Sequence, residues 1–175
     1  IVTLIHSVRA PLAQIVTHFP SNNDHLLYSV LAHISIALFG EHTWSLRLPA
    51  AVFGVACLPM LYVLGRAVTS TFEALLATAL LTVSYHHIWF SQNARAYTIM
   101  LFLTLLGTRL LLTGMRDDRR TDFIAYSVVM ALAAYAHLTM VLVAVGHGLA
   151  VGGLLLSRGG GRFEVGIGFD CKHGC

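Results

Sequence analysis

The chain has 175 residues, 57% of them hydrophobic and only 11% charged, with a formal net charge of +3. Soluble domains carry about 25% charged residues, so this composition, with a mean hydropathy of +0.75, excludes an ordinary soluble fold and points to an integral membrane protein. So small a charge, scattered between apolar runs, also excludes a nucleic-acid partner. Those basic residues set membrane orientation instead.

From the N-terminus, Ile1 to Ile5 lack a basic flank and run directly into His6, Arg9 and Pro11, so no cleavable signal peptide is read. With no initiating Met, the chain is expected to begin inside a longer protein. The stretch from His6 to His25 holds Pro11, Pro20 and Ser21-Asn22-Asn23-Asp24, which reads as a loop with one short helix near Leu12 to His18. Residues 26–39 are apolar but would span only about 21 Å as a helix. With Ser29 and His33 four apart on one face, they predict an interfacial helix lying along the membrane.

Residues 48–65 form an apolar run worth about 27 Å, close to the ~30 Å hydrocarbon core, and predict a transmembrane helix kinked at Pro59. Residues 74–90 and 96–115 are the next two predicted passes. The apolar run from Phe123 to Leu156 would be about 51 Å long as one helix, too long for an upright pass, so two shorter helices with a break near Ala136-His137 are predicted. From Ser157 the chain shifts to Gly159-Gly160-Gly161 and an aperiodic mixture, expected to be a poorly ordered tail or an artefact of truncation. The predicted organisation is therefore a partial transmembrane domain over 1–156, with an outer loop at 1–47 and membrane passes at 48–156, followed by the tail at 157–175. Of the three cysteines, Cys57 lies in an apolar run, and Cys171 and Cys175 flank His173. They make no disulfide framework, and a zinc site there would lack a fourth ligand. Neither a metal nor a cofactor is expected.

The most informative stretch is Ile88-Trp89-Phe90-Ser91-Gln92-Asn93-Ala94-Arg95-Ala96-Tyr97, a polar island between two apolar runs. Arg95 at the bilayer centre would cost roughly 2.5 to 3.5 kcal/mol or more, so this segment belongs at the interface, with Trp89 and Tyr97 at headgroup level. Placing the loops at 66–71 and 116–122 in the cytoplasm puts Arg66, Arg116, Arg119, Arg120, Arg158 and Arg162 inside. Only Arg9, Arg47 and Arg95 then lie outside, as the positive-inside rule demands. Arg109 falls within the third pass, near enough to its inner end to snorkel. The segment from His6 to Arg47 and the loop from Ser91 to Tyr97 share the outer face in this reading.

The outer-face polar residues are Asn22, Asn23, Asp24 and His25, then Glu41 and Arg47, then Gln92, Arg95 and Tyr97, with His137 at the later break. Each also has a plainer reading. Asp24 suits a turn or a helix cap, Arg47 a helix entrance, and His137 the break between two helices. His86 and His87 suit the interface, Trp89, Tyr97 and Tyr126 an aromatic belt, and Glu41 the solvent.

The order of Asn22-Asn23-Asp24-His25 with Tyr28, Phe39-Gly40-Glu41, Arg47-Leu48-Pro49-Ala50, Tyr62 with Leu64-Gly65-Arg66, Ser91-Gln92 with Ala94-Arg95 and Tyr97, and Tyr135-Ala136-His137 resembles bacterial membrane glycosyltransferases of the GT-C superfamily. The resemblance is particularly to the relatives of protein O-mannosyltransferases and of the aminoarabinose transferase of lipid A, over roughly residues 1–156. The resemblance implies an all-α multipass transmembrane bundle with an interfacial helix in its first outer loop. It also implies transfer of a sugar from a polyprenyl-phosphate carrier to an acceptor hydroxyl, on a lipid, glycan or protein, at the outer face of the cell membrane. In such enzymes an acidic residue in the first outer loop is the general base, and cationic groups stabilise the departing lipid phosphate. Carried onto this chain, Asp24 is the candidate base, and His25, Arg47, Gln92, Arg95, Tyr97 and His137 are candidate substrate-binding residues. Two departures stand out. His25 is followed by Leu26 where similar sequences have proline, and the family's Asp-Glu pair would fall immediately before Ile1, so the chain alone is expected to be inactive. The alternative reading is a non-catalytic polyprenyl-lipid-binding membrane protein or a transporter fragment.

Overall fold

The computed structural model describes residues 26–157. The predicted short helix at Leu12 to His18, the candidate residues Asp24 and His25, and the tail from 158 lie outside the described residues. The described residues form seven α-helices and no strand: α1 (Leu26–Phe39), α2 (Thr43–Val68), α3 (Thr71–Val83), α4 (Tyr85–Gln92), α5 (Tyr97–Asp117), α6 (Arg120–Ala136) and α7 (Met140–Ser157). Three of them, α2, α5 and α7, are long and apolar enough to cross a membrane, while α1 and α3 are shorter apolar helices. The protein is an all-helical membrane bundle. Its outer surface carries the large apolar side chains that a soluble fold would bury, such as Val55, Leu80, Leu142 and Leu149.

Helix α2 begins at Thr43, five residues ahead of the predicted pass, and takes Arg47 and Pro49 into its first turns. Proline at position 49 has no N–H for the carbonyl of Ser45, four residues back. The neighbouring helix supplies the missing donor: Ser35 Oγ donates to Ser45 O at 2.7 Å. One residue on, Tyr28 Oη donates to Leu46 O at 2.6 Å. Two side chains of α1 are thus fastened to α2 at its weakest backbone step. The helix then runs unbroken through Pro59.

The predicted single pass over 74–90 is instead two helices. The chain bends at Ser84, whose N–H donates to Leu81 O at 3.1 Å and whose hydroxyl accepts the His87 N–H at 3.5 Å, ending α3 and capping α4. A serine hydroxyl offers the backbone a substitute for the helical ladder, so the break needs neither glycine nor proline. Helix α3 is short, about 20 Å. It starts on a capping box, with Ser70 Oγ accepting from Glu73 N and the Glu73 carboxylate accepting from Ser70 N at 3.0 Å. The predicted pass at 96–115 corresponds to α5, and the predicted break near Ala136-His137 falls between α6 and α7. The connections predicted at 66–71 and 116–122 shrink to Thr69-Ser70 and to Asp118-Arg119, where Asp118 turns the chain at φ 52°.

Short side chains set the helix spacing. Gly54 of α2 faces Ser91 of α4, and Gly107 of α5 lies against Met130 of α6. Thr98 clamps α5 to α2 by donating from Oγ1 to Ala50 O at 2.9 Å, while its carbonyl accepts the Cys57 thiol at 3.5 Å. Helix α7 is tied to the bundle through His147, whose Nε2 lies 3.1 Å from Thr108 Oγ1 and whose Nδ1 lies 3.1 Å from Tyr126 Oη. Thr108 already spends its proton on Thr104 O. It therefore accepts from His147 Nε2–H, which leaves Nδ1 to accept from the tyrosine.

Candidate functional site

The antiparallel run of α2, α3–α4, α5, α6 and α7 brings one set of helix ends together. Tyr28, Ala50, Ala96, Ile99, Ala133 and Met140 share a single buried cluster. Arg47, Arg95 and His137 each lie within four residues of a member of that cluster, so these three candidates stand at one end of the bundle. Arg47 is exposed on the first turns of α2. Its charge acts on the neighbouring Tyr28, whose hydroxyl is pushed above the ordinary tyrosine range by burial, with Arg47 opposing the shift.

Gln92 ends α4, and Arg95 sits in the turn before α5; both side chains are exposed. The turn is tight, with Arg95 N–H donating to Asn93 O at 2.8 Å. Tyr97 opens α5 and packs its ring on Phe90 of α4, centroids 4.6 Å apart. His137 closes the break after α6, where its Nδ1 accepts from Thr139 N at 3.2 Å and lies 2.7 Å from Thr139 Oγ1. That is the helix-break role read from the sequence.

Beneath this turn an open cavity of about 300 Å³ lies between α3, α4 and α5, lined by Leu81, Ser84, His86, His87, Phe90, Tyr97, Thr98 and Leu101. Of the described candidate residues only Tyr97 is in its wall; Arg95 stands two residues away along the turn, and Arg47, Gln92 and His137 do not line it. The floor is apolar, from Leu81, Phe90 and Leu101, and the polar atoms come from Ser84, the two histidines, Tyr97 and Thr98. Among the described residues no carboxylate lines it. Such a volume admits a short stretch of hydrocarbon with a polar group at its mouth.

His87, which suits the interface by sequence, is a wall residue of the cavity. Its Nε2 lies 3.2 Å from the carbonyl of Gly54 in α2, and Ser91, one turn on, donates back to His87 O at 2.7 Å. The close approach of α4 to α2 depends on Gly54: a Cβ there would stand 2.8 Å from Ser91 Cβ. Ser84, His86, Phe90 and Leu101 were likewise not sequence candidates. The signal that could have found them is the serine three residues before His87, the spacing of an N-cap inside an apolar run.

A family model described as dolichyl-phosphate-mannose-protein mannosyltransferase matches residues 24–162 of the chain. No curated protein and no solved structure matches it significantly.

Proposed function

The chain belongs to the dolichyl-phosphate-mannose-protein mannosyltransferase family, and from that premise we propose that it forms part of a membrane glycosyltransferase. The proposed enzyme moves a sugar from a polyprenyl-phosphate carrier to an acceptor hydroxyl of a lipid, glycan or protein on the outer face of the membrane. The observation that carries this reading is the juxtaposition of the Gln92–Tyr97 turn with the cavity under it. A polyprenyl phosphate is an apolar chain ending in an anion, and the turn and the cavity offer one partner for each half.

In this reading the first isoprene units enter between Leu81, Phe90 and Leu101, and the phosphate sits at the mouth. Arg95 meets it with a planar fork that matches two phosphate oxygens. Arg47, on the first turns of α2, adds positive charge from the same end of the bundle, and Gln92, Tyr97, His137 and His25 supply hydrogen bonds. As the sugar leaves the phosphate, negative charge grows on the departing oxygen, and cations already held in place stabilise it without reorganisation. Asp24 is the proposed general base, taking the acceptor's proton as its oxygen attacks the anomeric carbon.

The test is photo-crosslinking of the membrane-inserted chain with a polyprenyl-phosphate sugar carrying a diazirine in its first isoprene unit. Labelling of residues 81–101, competed away by unlabelled polyprenyl phosphate but not by a polyprenol, is the expected result. Labelling that is spread over the lipid-facing surface, or that the alcohol competes equally well, would refute the assignment.

A further inference from the structure

Arg109 is a cation inside a membrane helix that the glycosyltransferase reading leaves unused. It lies eight residues, about 12 Å, before the end of α5. Its side chain does not hang toward that end. Nη1 donates across to Val63 O of α2 at 3.3 Å, which holds the guanidinium in the groove between α2 and α5. Val63 is 38% exposed and faces outward, so the groove opens on the lipid-facing surface. Arg66 follows one turn later on the same face of α2, and its Nη1 donates to Thr71 Oγ1 at the start of α3.

Arg109 thus bonds to α2 at Val63, and Arg66 follows one helical turn nearer the end of α2, each arginine with several of its five N–H donors unspent. Neither forms an ion pair with a described residue. The acidic groups of this end are committed or remote: Glu73 is held by Ser70 N and Oγ, and Asp117, Asp118 and Asp122 belong to the α5–α6 turn. A charged side chain within a membrane helix pairs with another charge or with a backbone carbonyl, and the Val63 carbonyl takes up only one of the Arg109 donors.

We propose that the α2–α5 groove is a binding site for the headgroup phosphate of an anionic phospholipid in the leaflet at this end of the bundle. Arg109 and Arg66 donate to the phosphodiester oxygens, and the acyl chains run along the exposed apolar face of α2 past Val63 and Val55. The argument is charge complementarity in a medium where unpaired charge is costly. This end also holds Arg116, Arg119 and Arg120, and by the positive-inside rule it faces the leaflet where anionic lipids attract such residues. The site lies in the half of α5 away from the Gln92–Tyr97 turn and does not depend on the donor assignment.

The experiment is native mass spectrometry of the whole chain, released from vesicles of equal parts phosphatidylglycerol and phosphatidylcholine. The wild type is expected to retain phosphatidylglycerol preferentially. Arg109→Gln should weaken that retention about tenfold, as for loss of a charge-assisted hydrogen bond. Arg109→Lys should restore part of it, and Arg116→Gln, at the exposed end of α5, should leave it unchanged. Equal retention of the two lipids by the wild type would overturn the proposal without any variant being made. So would full retention in a helical, membrane-inserted Arg109→Gln chain, or displacement of the bound lipid by millimolar inorganic phosphate, which would make this a free-anion site.

Discussion

Gly54→Ala is the sharpest test of how α4 is held against α2. The added methyl would stand 2.8 Å from Ser91 Cβ, an atom fixed to the α4 backbone that no rotamer change can move. The Ser91 hydroxyl is closer still and is committed to His87 O. Overpacking of this kind costs about 1 to 3 kcal/mol. Alanine returns about 1 kcal/mol through helix propensity, but separating the helices also strains the contact of His87 Nε2 with Gly54 O, worth about 1 kcal/mol. The net loss should be about 1 to 3 kcal/mol. Ser91→Gly removes both clashing atoms at about 1 kcal/mol of its own, so the double variant should be more stable than the two single losses predict, with a favourable coupling of at least about 1 kcal/mol. Denaturant titration of the detergent-solubilised chain, followed by the fluorescence of Trp89 on α4, measures all three. An unchanged midpoint for Gly54→Ala, or two losses that simply add, would refute this picture of the α2–α4 contact.

Arg95→Ala should reduce affinity for a polyprenyl-phosphate sugar about tenfold to a hundredfold, from the roughly 1.5 to 3 kcal/mol of a charge-assisted hydrogen bond, with Arg95→Lys recovering part; normal donor binding by an inserted Arg95→Ala chain would make the residue a helix-end anchor. Ser35→Ala leaves the Ser45 carbonyl without the donor that Pro49 denies it, so the chain should lose about 1 to 3 kcal/mol in the same titration, and Pro49→Ala in addition should recover most of it. With Cys171 and Cys175 replaced, an impermeant thiol reagent should label a cysteine introduced at Asn93 from outside but not one at Asp118, and the reverse pattern would invert the orientation. The Glu73 carboxyl is held below the ordinary carboxylate range by its bonds to Ser70. Its stabilisation of the α3 cap is therefore complete above that range and lost as pH falls through the lowered value, which hydrogen exchange at the first α3 amides should report in the wild type and not in Glu73→Gln, whose side chain does not titrate.

The membrane passes were legible because a run of apolar residues long enough to cross a bilayer has few other meanings, and because 3.6-residue geometry converts run length into span. Thus 96–115 anticipates α5, and the overlong stretch from Phe123 to Leu156 had to break, which it does beside His137. What sequence hid depends on partners distant along the chain. The early start of α2 rests on Ser35 serving the Ser45 carbonyl, so Pro49, which locally reads as a helix entrance, sits safely inside the helix. Arg47 moves with it from a loop to a helical turn.

The break at Ser84 was hidden for a different reason: nothing in its apolar surroundings is a helix breaker, and a serine in such a run equally well bonds back to the preceding turn, as Ser91 does. That break also creates the cavity. A continuous helix from 74 to 90 would keep the chain on one axis; the turn at Ser84 lets α4 cross toward Gly54 while α3 stays packed by Ala74 against Gly65. The space opens between Leu81 on one side of the bend and His87 and Phe90 on the other. The polar turn that sequence singled out and the apolar cavity that it did not are therefore products of one short helix. A continuous-helix variant such as Ser84→Leu should test both at once, since restoring the single pass removes the cavity and carries Gln92 and Arg95 away from Tyr97.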